Sequence, residues 1–215
     1  MSGIKDRIYI MRADEFDDEN KFNATFSRLS DYRREKISRL KHREDKTLSL
    51  AAGYLIDLGL GEYGLCERGM KYAFGKNNKP YFAEYRDIFF NVSHSGSFAV
   101  CAFSDFEVGC DIETSEKYNE RFLKRFFSKN EREAVMNADD RAGEFIRFWT
   151  RKESFLKASG DGITRTLADL DTTADTIEEN GAVYRFTEYK ILDRAPICVC
   201  KKDGCFDGGA VIAAL

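Results

Sequence analysis

Two carboxylates on one predicted strand constrain this chain more than any other feature. Asp111 and Glu113 stand two residues apart in the largely apolar segment 108–113. Because side chains alternate across a strand, both carboxylates lie on the same face. Two such charges repel each other unless a cation or a shared proton lies between them. The segment therefore predicts a strand that carries a polar site.

A predicted helix supplies a third carboxylate. Apolar residues at helical spacing run through segment 145–158, which Gly160 follows. Glu153 lies at the edge of the apolar stripe, and Lys152 points into its middle. Lys152 reaches either a charged ligand or water along the apolar surface. Glu153 and Lys157, four residues apart, also fit an ordinary ion pair on a helix surface.

Three carboxylates together suit a hard divalent cation. Mg²⁺ prefers oxygen ligands and keeps waters that a phosphate can replace. Asp111, Glu113 and Glu153 are the candidate metal ligands, and flanking lysines such as Lys157 neutralise phosphate oxygens. Mn²⁺ is the alternative ion.

Two further segments have the composition of anion sites. The segment 91–96 offers the hydroxyl of Ser93, the imidazole of His94 and a glycine, which is typical of an anion-binding turn. His94 alternatively serves as a hydrogen-bonded structural group. In the basic segment 32–43, Arg33 and Lys36 share one helix face and are placed to grip a phosphate. The alternative is a solvated charged face. Lys79, after a turn, is a weaker candidate.

The order of predicted elements indicates an α+β fold built from two similar halves. A strand, a long helix and several strands occur twice along the chain, and the predicted boundary lies at 104–105. This gives an N-terminal subdomain at 1–104 and a C-terminal subdomain at 105–215 that carries the metal site. The predicted strands are 4–12, 70–74, 80–82, 88–92, 98–103, 108–113, 183–188, 189–192, 197–201 and 210–215, and the predicted helices are 30–60, 120–127, 129–137 and 145–158.

Composition narrows the classes of function. There are 34 basic and 37 acidic residues, so the net charge of −3 argues against a nucleic-acid-binding protein. The N-terminus lacks an apolar leader and no run of eighteen apolar residues occurs, so we expect no membrane association. A monomer in the cytoplasm is the default expectation. Of the six cysteines, four lie in strand-like apolar segments and are expected to be small core residues, namely Cys101, Cys110, Cys198 and Cys200. Cys198-Val199-Cys200 lacks a second pair of ligands at zinc spacing.

Taken in order, these motifs resemble those of the phosphopantetheinyl transferases of the two-domain, surfactin-synthetase type. The resemblance spans about residues 30 to 160, and the pairing of Gly-x-Asp-x-Glu with Trp-x-x-Lys-Glu-x-x-x-Lys is its most specific part. The matching segments are Arg34-Glu35-Lys36 with His42-Arg43-Glu44-Asp45, Lys79-Pro80, Phe90 to Gly96, Val108 to Glu113, Arg125 to Lys129 with Glu131, and Trp149 to Lys157.

The resemblance implies a pseudo-twofold pair of α+β subdomains, each with a small antiparallel sheet packed on a long helix, and coenzyme A bound between them. It makes Asp111, Glu113 and Glu153 the Mg²⁺ ligands. Because Gly75-Lys76 and Lys79-Pro80 are split by two asparagines, either lysine is the family's ligand. A family arginine is replaced near Thr47. The residues implied to contact coenzyme A are Arg33, Lys36, Lys79, Ser93, His94, Lys152 and Lys157.

The implied reaction is transfer of 4′-phosphopantetheine from coenzyme A to a serine of an apo acyl or peptidyl carrier protein, with release of adenosine 3′,5′-bisphosphate. The implied catalytic groups are Asp111, Glu113, Glu153 as general base, and Lys157. The basic and aromatic segment 121–127 suits an acidic helical carrier domain, or is instead an amphipathic helix with its aromatic residues in the core.

Two rival functions remain open at this stage. A Mg²⁺-dependent phosphodiesterase would use the same carboxylates with water as the nucleophile. A non-catalytic module would bind nucleic acid through the basic segment 33–43, although the net charge and the lack of a second basic stripe weigh against it.

Overall fold

The computed structural model describes residues 5–114, 118–160, 162, 166–193 and 195–215. Within these residues the chain forms an α+β fold, which confirms the predicted class. The strands are β1 (Arg7–Arg12), β2 (Tyr72–Phe74), β3 (Pro80–Phe82), β4 (Phe89–Ser95), β5 (Phe98–Ser104), β6 (Val108–Ile112), β7 (Thr176–Glu179), β8 (Ala182–Tyr189), β9 (Ile197–Lys202) and β10 (Ala210–Ile212). The helices are α1 (Glu19–Arg28), α2 (Asp31–Arg39), α3 (Arg43–Gly61), α4 (Glu120–Phe126), α5 (Lys129–Asn137) and α6 (Arg141–Ser159).

Two four-stranded sheets form the framework. The first has the order β10-β1-β5-β4 and the second the order β6-β9-β8-β7, while β2 and β3 form a separate hairpin. All pairings are antiparallel except that of β1 with β10, which is parallel. The end of the chain therefore returns to the first sheet, whereas the predicted subdomain 105–215 would place it in the second half.

Each sheet packs on a 19-residue helix, α3 on the first and α6 on the second. Side-chain alternation in β1 explains how the first sheet buries both faces. Tyr9 and Met11 pack with α3 residues, whereas Ile8 and Ile10 pack against the second sheet. The second contact is an apolar layer between the sheets, here called the shared core: Ile8, Ile10, Val100, Ala102, Val108, Cys110, Ile112, Ala195, Ile197, Val199 and Phe206.

Helix boundaries follow local side-chain chemistry. Ser30 begins α2 by accepting a hydrogen bond from the backbone N–H of Arg33, and Ser128 begins α5 in a capping box with Glu131. Helix α6 ends at Gly160, whose φ of 69° suits glycine. None of the helices among the described residues has the length and apolar character needed to cross a membrane.

Several predicted elements need correction. The expected helix 30–60 is two helices, because Leu40 is extended and the chain re-enters a helix only at Arg43. Helix α1 and strand β7 were not predicted. The expected strand 183–188 is β8, but β8 ends at Tyr189 and residues 190–192 are not in a strand, so the expected strand 189–192 was wrong. All six cysteines are free; four are buried, as expected, but Cys66 and Cys205 are exposed.

Candidate active site

A cleft of about 740 Å³ lies between α2 and α3 on one side and β6 and α6 on the other, with β4 along its floor. Sequence-predicted residues from both halves of the chain line this cleft. They are the acidic residues Asp111, Glu113 and Glu153, the basic residues Arg33, Lys36 and Lys157, and Ser93 and His94 of β4.

Strand β4 reaches β6 through side chains rather than through a backbone ladder. The polar side chains that reach β6 belong to alternate residues of β4, namely Asn91, Ser93 and Ser95. The N–H of Cys110 donates to Asn91 Oδ1 at 2.9 Å. Ser93 Oγ donates to Asp111 Oδ1 at 2.8 Å, and Ser95 Oγ donates to Glu113 Oε2 at 2.9 Å. The first half of the chain therefore holds both carboxylates of the second half in place.

Gly109 allows α6 to lie directly on β6. A Cβ atom at this position would lie 2.1 Å from the backbone oxygen of Ser154 and 2.4 Å from the backbone nitrogen of Ala158. A side chain of any size would therefore push the helix away from the strand. This close approach brings Glu153 and Lys157 of α6 to the edge of the strand that carries Asp111.

Lys157 is bonded to the strand carboxylate. Its Nζ donates to Asp111 Oδ1 at 2.6 Å, to Ser93 Oγ at 2.9 Å and to the carbonyl of Cys110 at 3.2 Å. Burial opposes the lysine charge, but attraction to Asp111, Cys110 and Glu153 outweighs it and raises the pKa of Lys157. The lysine therefore stays protonated inside the cleft.

The three carboxylates share an environment that disfavours their charge. Burial raises the pKa of Asp111, of Glu113 and of Glu153. Repulsion from Asp111 raises the pKa of both glutamates further, and Glu113 also raises that of Glu153. Asp111 Oδ2 is buried and has no hydrogen-bond partner. The ion pair between Lys157 and Asp111 therefore does not offset the effect of burial on these carboxylates.

The donor set fits a hard divalent cation by its chemistry. It offers carboxylate oxygens, one of them unpartnered, in the combination that Mg²⁺ prefers. No group of three or more His, Cys, Asp or Glu side chains in the described part of the chain is arranged to hold a metal ion. Lys157 takes the place beside Asp111 instead. The metal role of Asp111, Glu113 and Glu153 stays a prediction.

Arg33, Lys36 and His94 line the cleft opposite the carboxylates and form what we call the basic wall. They lie close enough for each positive charge to destabilise that of its neighbour. Burial lowers the pKa of His94, and the neighbouring charges of Lys157 and Lys36 lower it further. Burial and the nearby Arg33 likewise lower the pKa of Lys36. A polyanion in the cleft would relieve this repulsion, which is the electrostatic signature of a phosphate site.

Arg33 has a structural role as well. It is 3% exposed, its Nε lies 3.8 Å from the buried Glu67, and its guanidinium stands over the ring of Tyr72. Its Nε nevertheless has no hydrogen-bond partner. Arg33 therefore lines the cleft from a fixed position.

Lys152 does not reach the cleft, contrary to the predicted coenzyme A contact. Its side chain is fully buried and forms an ion pair with Glu131 at 2.8 Å. Its Nζ also donates to the carbonyls of Leu167, at 2.9 Å, and Leu170. Its place within the apolar stripe reflects a buried structural charge pair rather than a ligand contact.

Lys79 also lies outside the lining of the cleft. Its Nζ donates to the carbonyls of Val108 and Ala158, each at 3.1 Å, and burial lowers its pKa to about 8. Lys76, the alternative, is exposed. Sequence reasoning did not select Trp149 or Asp45, which line the cleft. Trp149 lay in the motif itself, but its position in the apolar stripe pointed to the core.

Comparisons with known proteins agree with this geometry. The model of the 4′-phosphopantetheinyl transferase superfamily matches residues 107–214. The 4′-phosphopantetheinyl transferase Sfp of Bacillus subtilis (strain 168) is 30% identical over 179 residues, which are 82% of this chain and 77% of that protein. Another 4′-phosphopantetheinyl transferase of Bacillus subtilis is 31% identical over the same shares of both chains.

One further relative and one solved structure also match. The 4′-phosphopantetheinyl transferase HetI of Nostoc sp. is 30% identical over 75% of this chain and 72% of its own length. Among solved structures, the holo-[acyl-carrier-protein] synthase of Thermotoga maritima matches with a TM-score of 0.36 and 20% identity. That match covers 45% of this chain and 62% of the other.

Proposed function

The chain belongs to the 4′-phosphopantetheinyl transferase superfamily, and from that premise we propose the reaction that its cleft performs. It transfers the 4′-phosphopantetheine moiety of coenzyme A to a serine of an apo acyl or peptidyl carrier protein. Adenosine 3′,5′-bisphosphate is released. One observation carries this proposal: Asp111 of β6 and Glu113, which directly follows β6, line the same cleft as Glu153 and Lys157 of α6.

Coenzyme A is the polyanion that the basic wall is suited to bind. Arg33, Lys36, His94 and Lys157 surround the cleft with positive or protonatable groups. Burial lowers the pKa of His94 and of Lys36, and neighbouring positive charges lower both further against the opposing effect of Asp45 on His94. Phosphate groups would supply additional negative charge to these cations, and Ser93 holds Asp111 beside them through its hydroxyl.

Mg²⁺, with Mn²⁺ as the alternative, would be held by Asp111, Glu113 and Glu153. When bound, such an ion neutralises diphosphate charge and stabilises the leaving nucleotide. The buried and unpartnered Asp111 Oδ2 supports this assignment, because an unsatisfied buried carboxylate oxygen is costly.

The chain's own residues supply the rest of the chemistry. The serine oxygen of the carrier forms a bond to the phosphorus next to pantetheine, and the bond from that phosphorus to the bridging oxygen breaks. Glu153, which lies in the cleft on the same helix as Lys157, accepts the serine proton. Lys157, kept protonated by its neighbours, stabilises the developing charge on the phosphate oxygens.

Helix α4 offers a docking face for an acidic carrier domain. Its aromatic side is used inside the protein, since Phe122 packs against Trp149 with ring centroids 4.8 Å apart. Its basic residues Arg121, Lys124 and Arg125 are exposed. The packing of the aromatic residues fits an amphipathic helix, and the exposed basic residues support the proposed carrier surface. The contact between Phe122 and Trp149, which lines the cleft, supports a carrier position close to the site.

Mass spectrometry of an apo carrier protein incubated with coenzyme A and Mg²⁺ tests the function. We expect the carrier to gain one phosphopantetheine, and the gain to vanish when a chelator removes the divalent ion. Hydrolysis of coenzyme A without any carrier would instead favour a phosphodiesterase. Absence of both reactions would contradict the proposed chemistry.

Asp111→Asn tests the metal assignment. The substitution removes one of the three carboxylate charges, and we expect transfer to fall by about 10²-fold or more, with an unchanged circular dichroism spectrum. Glu178→Gln, at an exposed position on β7, is the matched control and should keep full activity. If the Asp111→Asn variant has wild-type activity, Asp111 is not a ligand of the catalytic metal ion.

A further inference from the structure

The β2–β3 hairpin of the first half is attached to the catalytic helix of the second half. Lys79 directly precedes the second strand of the hairpin, and its Nζ donates to the carbonyl of Ala158 in the last turn of α6 at 3.1 Å. Asn77, in the turn of the hairpin, donates from Nδ2 to the carbonyl of Gly160 at 2.8 Å. Two side chains of one hairpin thus bind two carbonyls at one helix end.

These carbonyls need partners from outside the helix. The last four carbonyls of an α-helix have no partner within it, and the partial negative charge at that end favours a cation. Lys79 supplies both a donor and a positive charge to the C-terminus of α6. The lysine acts as a cap provided by a distant segment of the chain.

Lys79 binds the strand of the acidic pair at the same time. Its Nζ donates to the carbonyl of Val108 at 3.1 Å, one residue before Gly109. Gly109 is the point at which β6 and α6 make their closest approach. A single ammonium group therefore connects the β2–β3 hairpin with both β6 and α6. It does so next to Gly109, where the close approach of β6 and α6 sets the spacing between Asp111 and Glu153.

The surroundings of Lys79 are those of a held group rather than of an open phosphate site. Its amine is bonded to the carbonyls of Val108 and Ala158, and the residue lies outside the lining of the cleft that contains Arg33 and His94, although it also borders a smaller pocket beside Glu153 and Lys157. Burial lowers its pKa to about 8, while Glu107, Cys110 and Cys200 act in the opposite direction. Two of its three donors are already used by backbone carbonyls.

We propose that Lys79 is a positioning residue that fixes α6 against β6, rather than a ligand of a coenzyme A phosphate. The inference deepens the proposed transferase function and uses the same site. Loss of the ammonium leaves two carbonyls without a partner and loosens the last turn of α6. Glu153 and Lys157 then lose their alignment with Asp111, while the basic wall that binds the nucleotide is unchanged.

Lys79→Met in the full chain tests this inference, with Lys71→Met as the matched control. Lys71 lies at the base of the same hairpin, its side chain is 75% exposed, and its amine pairs with Glu84 at 2.7 Å across the surface. We expect amide exchange in the last turn of α6 to rise by about tenfold in Lys79→Met. We expect kcat to fall by about tenfold or more, since small misplacements of catalytic groups are costly. Lys71→Met should change neither amide exchange in α6 nor kcat.

Calorimetry of adenosine 3′,5′-bisphosphate at two ionic strengths separates the two roles. A positioning residue leaves the Kd within about twofold of wild type and its salt dependence unchanged. A Kd that weakens by about tenfold with a shallower salt dependence, together with unchanged amide exchange, would identify a phosphate ligand and overturn the proposal. The exchange and calorimetric results decide this point even if wild-type protein transfers nothing to a carrier.

A second variant covers the case in which Lys79→Met does not fold. Asn77→Ala removes only the bond to Gly160, so it should give a smaller rise in amide exchange in the same turn of α6. Unchanged exchange in a folded Asn77→Ala protein would show that the hairpin does not hold the helix.

Discussion

Gly109 shows how a single residue sets the geometry of the whole site. Gly109→Ala places a methyl group against the backbone of α6, which cannot give way as a side chain would. We expect transfer to fall by about 10²-fold and the free energy of unfolding to fall by about 1 to 3 kcal/mol. Steady-state kinetics and denaturant titration measure both effects.

The matched control is Gly61→Ala at the end of α3, where an added Cβ would meet no atom within 4 Å. Alanine there should leave activity unchanged. Retained activity in Gly109→Ala would show that α6 can move away from β6 without harm, and would contradict the role assigned to this close approach.

For single residues, the sequence predicts the position of a side chain that depends on local spacing. It does not predict a contact whose partner lies far away along the chain. The two-residue spacing of Asp111 and Glu113 was sufficient to place both in one cleft, because alternation along a strand is local. The position of Lys152 in an apolar stripe was also read correctly. Its partner Glu131 lies on another helix, and no local pattern identifies such a pair.

Among the elements, α6 depends on this buried charge pair. Glu131 is fully buried on α5 and accepts hydrogen bonds from the N–H and hydroxyl of Thr172 as well as from Lys152. Lys152→Met leaves that carboxylate without its cation, and we expect the free energy of unfolding to fall by about 3 to 5 kcal/mol. Thermal and denaturant unfolding measure the loss.

Adding Glu131→Gln to Lys152→Met should recover part of the lost stability, because the amide carries no charge that needs a partner. In both the single and the double variant, the folded protein should bind the nucleotide with the affinity of the wild type. If Lys152→Met is as stable as wild type but binds coenzyme A more weakly, Lys152 is a coenzyme A ligand, as the sequence suggested.

The predicted elements were correct where the periodic pattern was strong and uninterrupted. The helix 129–137 has the predicted bounds, and α6 extends the predicted segment at both ends. The break between α2 and α3 was missed because Leu40 continues the apolar period although its backbone is extended. Helix α1 was missed although Asp18, which accepts from two backbone N–H groups, is a typical helix start.

The whole molecule is held together by contacts that cross the proposed boundary at 104–105. The shared core takes Ile8 and Ile10 from the first sheet and Ile197 and Val199 from the second. Lys201 of β9 forms an ion pair with Asp6 at 3.0 Å. The apparent repeat in the order of elements predicted two halves, but a sequence pattern does not show how much apolar surface two halves share.

Separate production of fragments 1–104 and 105–215 tests whether the two proposed subdomains fold alone. Division at this boundary exposes the shared core on both sides and removes β10 from its partner β1. Because apolar burial is the main stabilising term, we expect neither fragment to unfold cooperatively and the intact chain to show one transition. Calorimetry and circular dichroism distinguish these cases. A cooperative transition in isolated 105–215 would show that the second sheet and α6 form an independent domain, and the cleft would then be an interface between two bodies free to move.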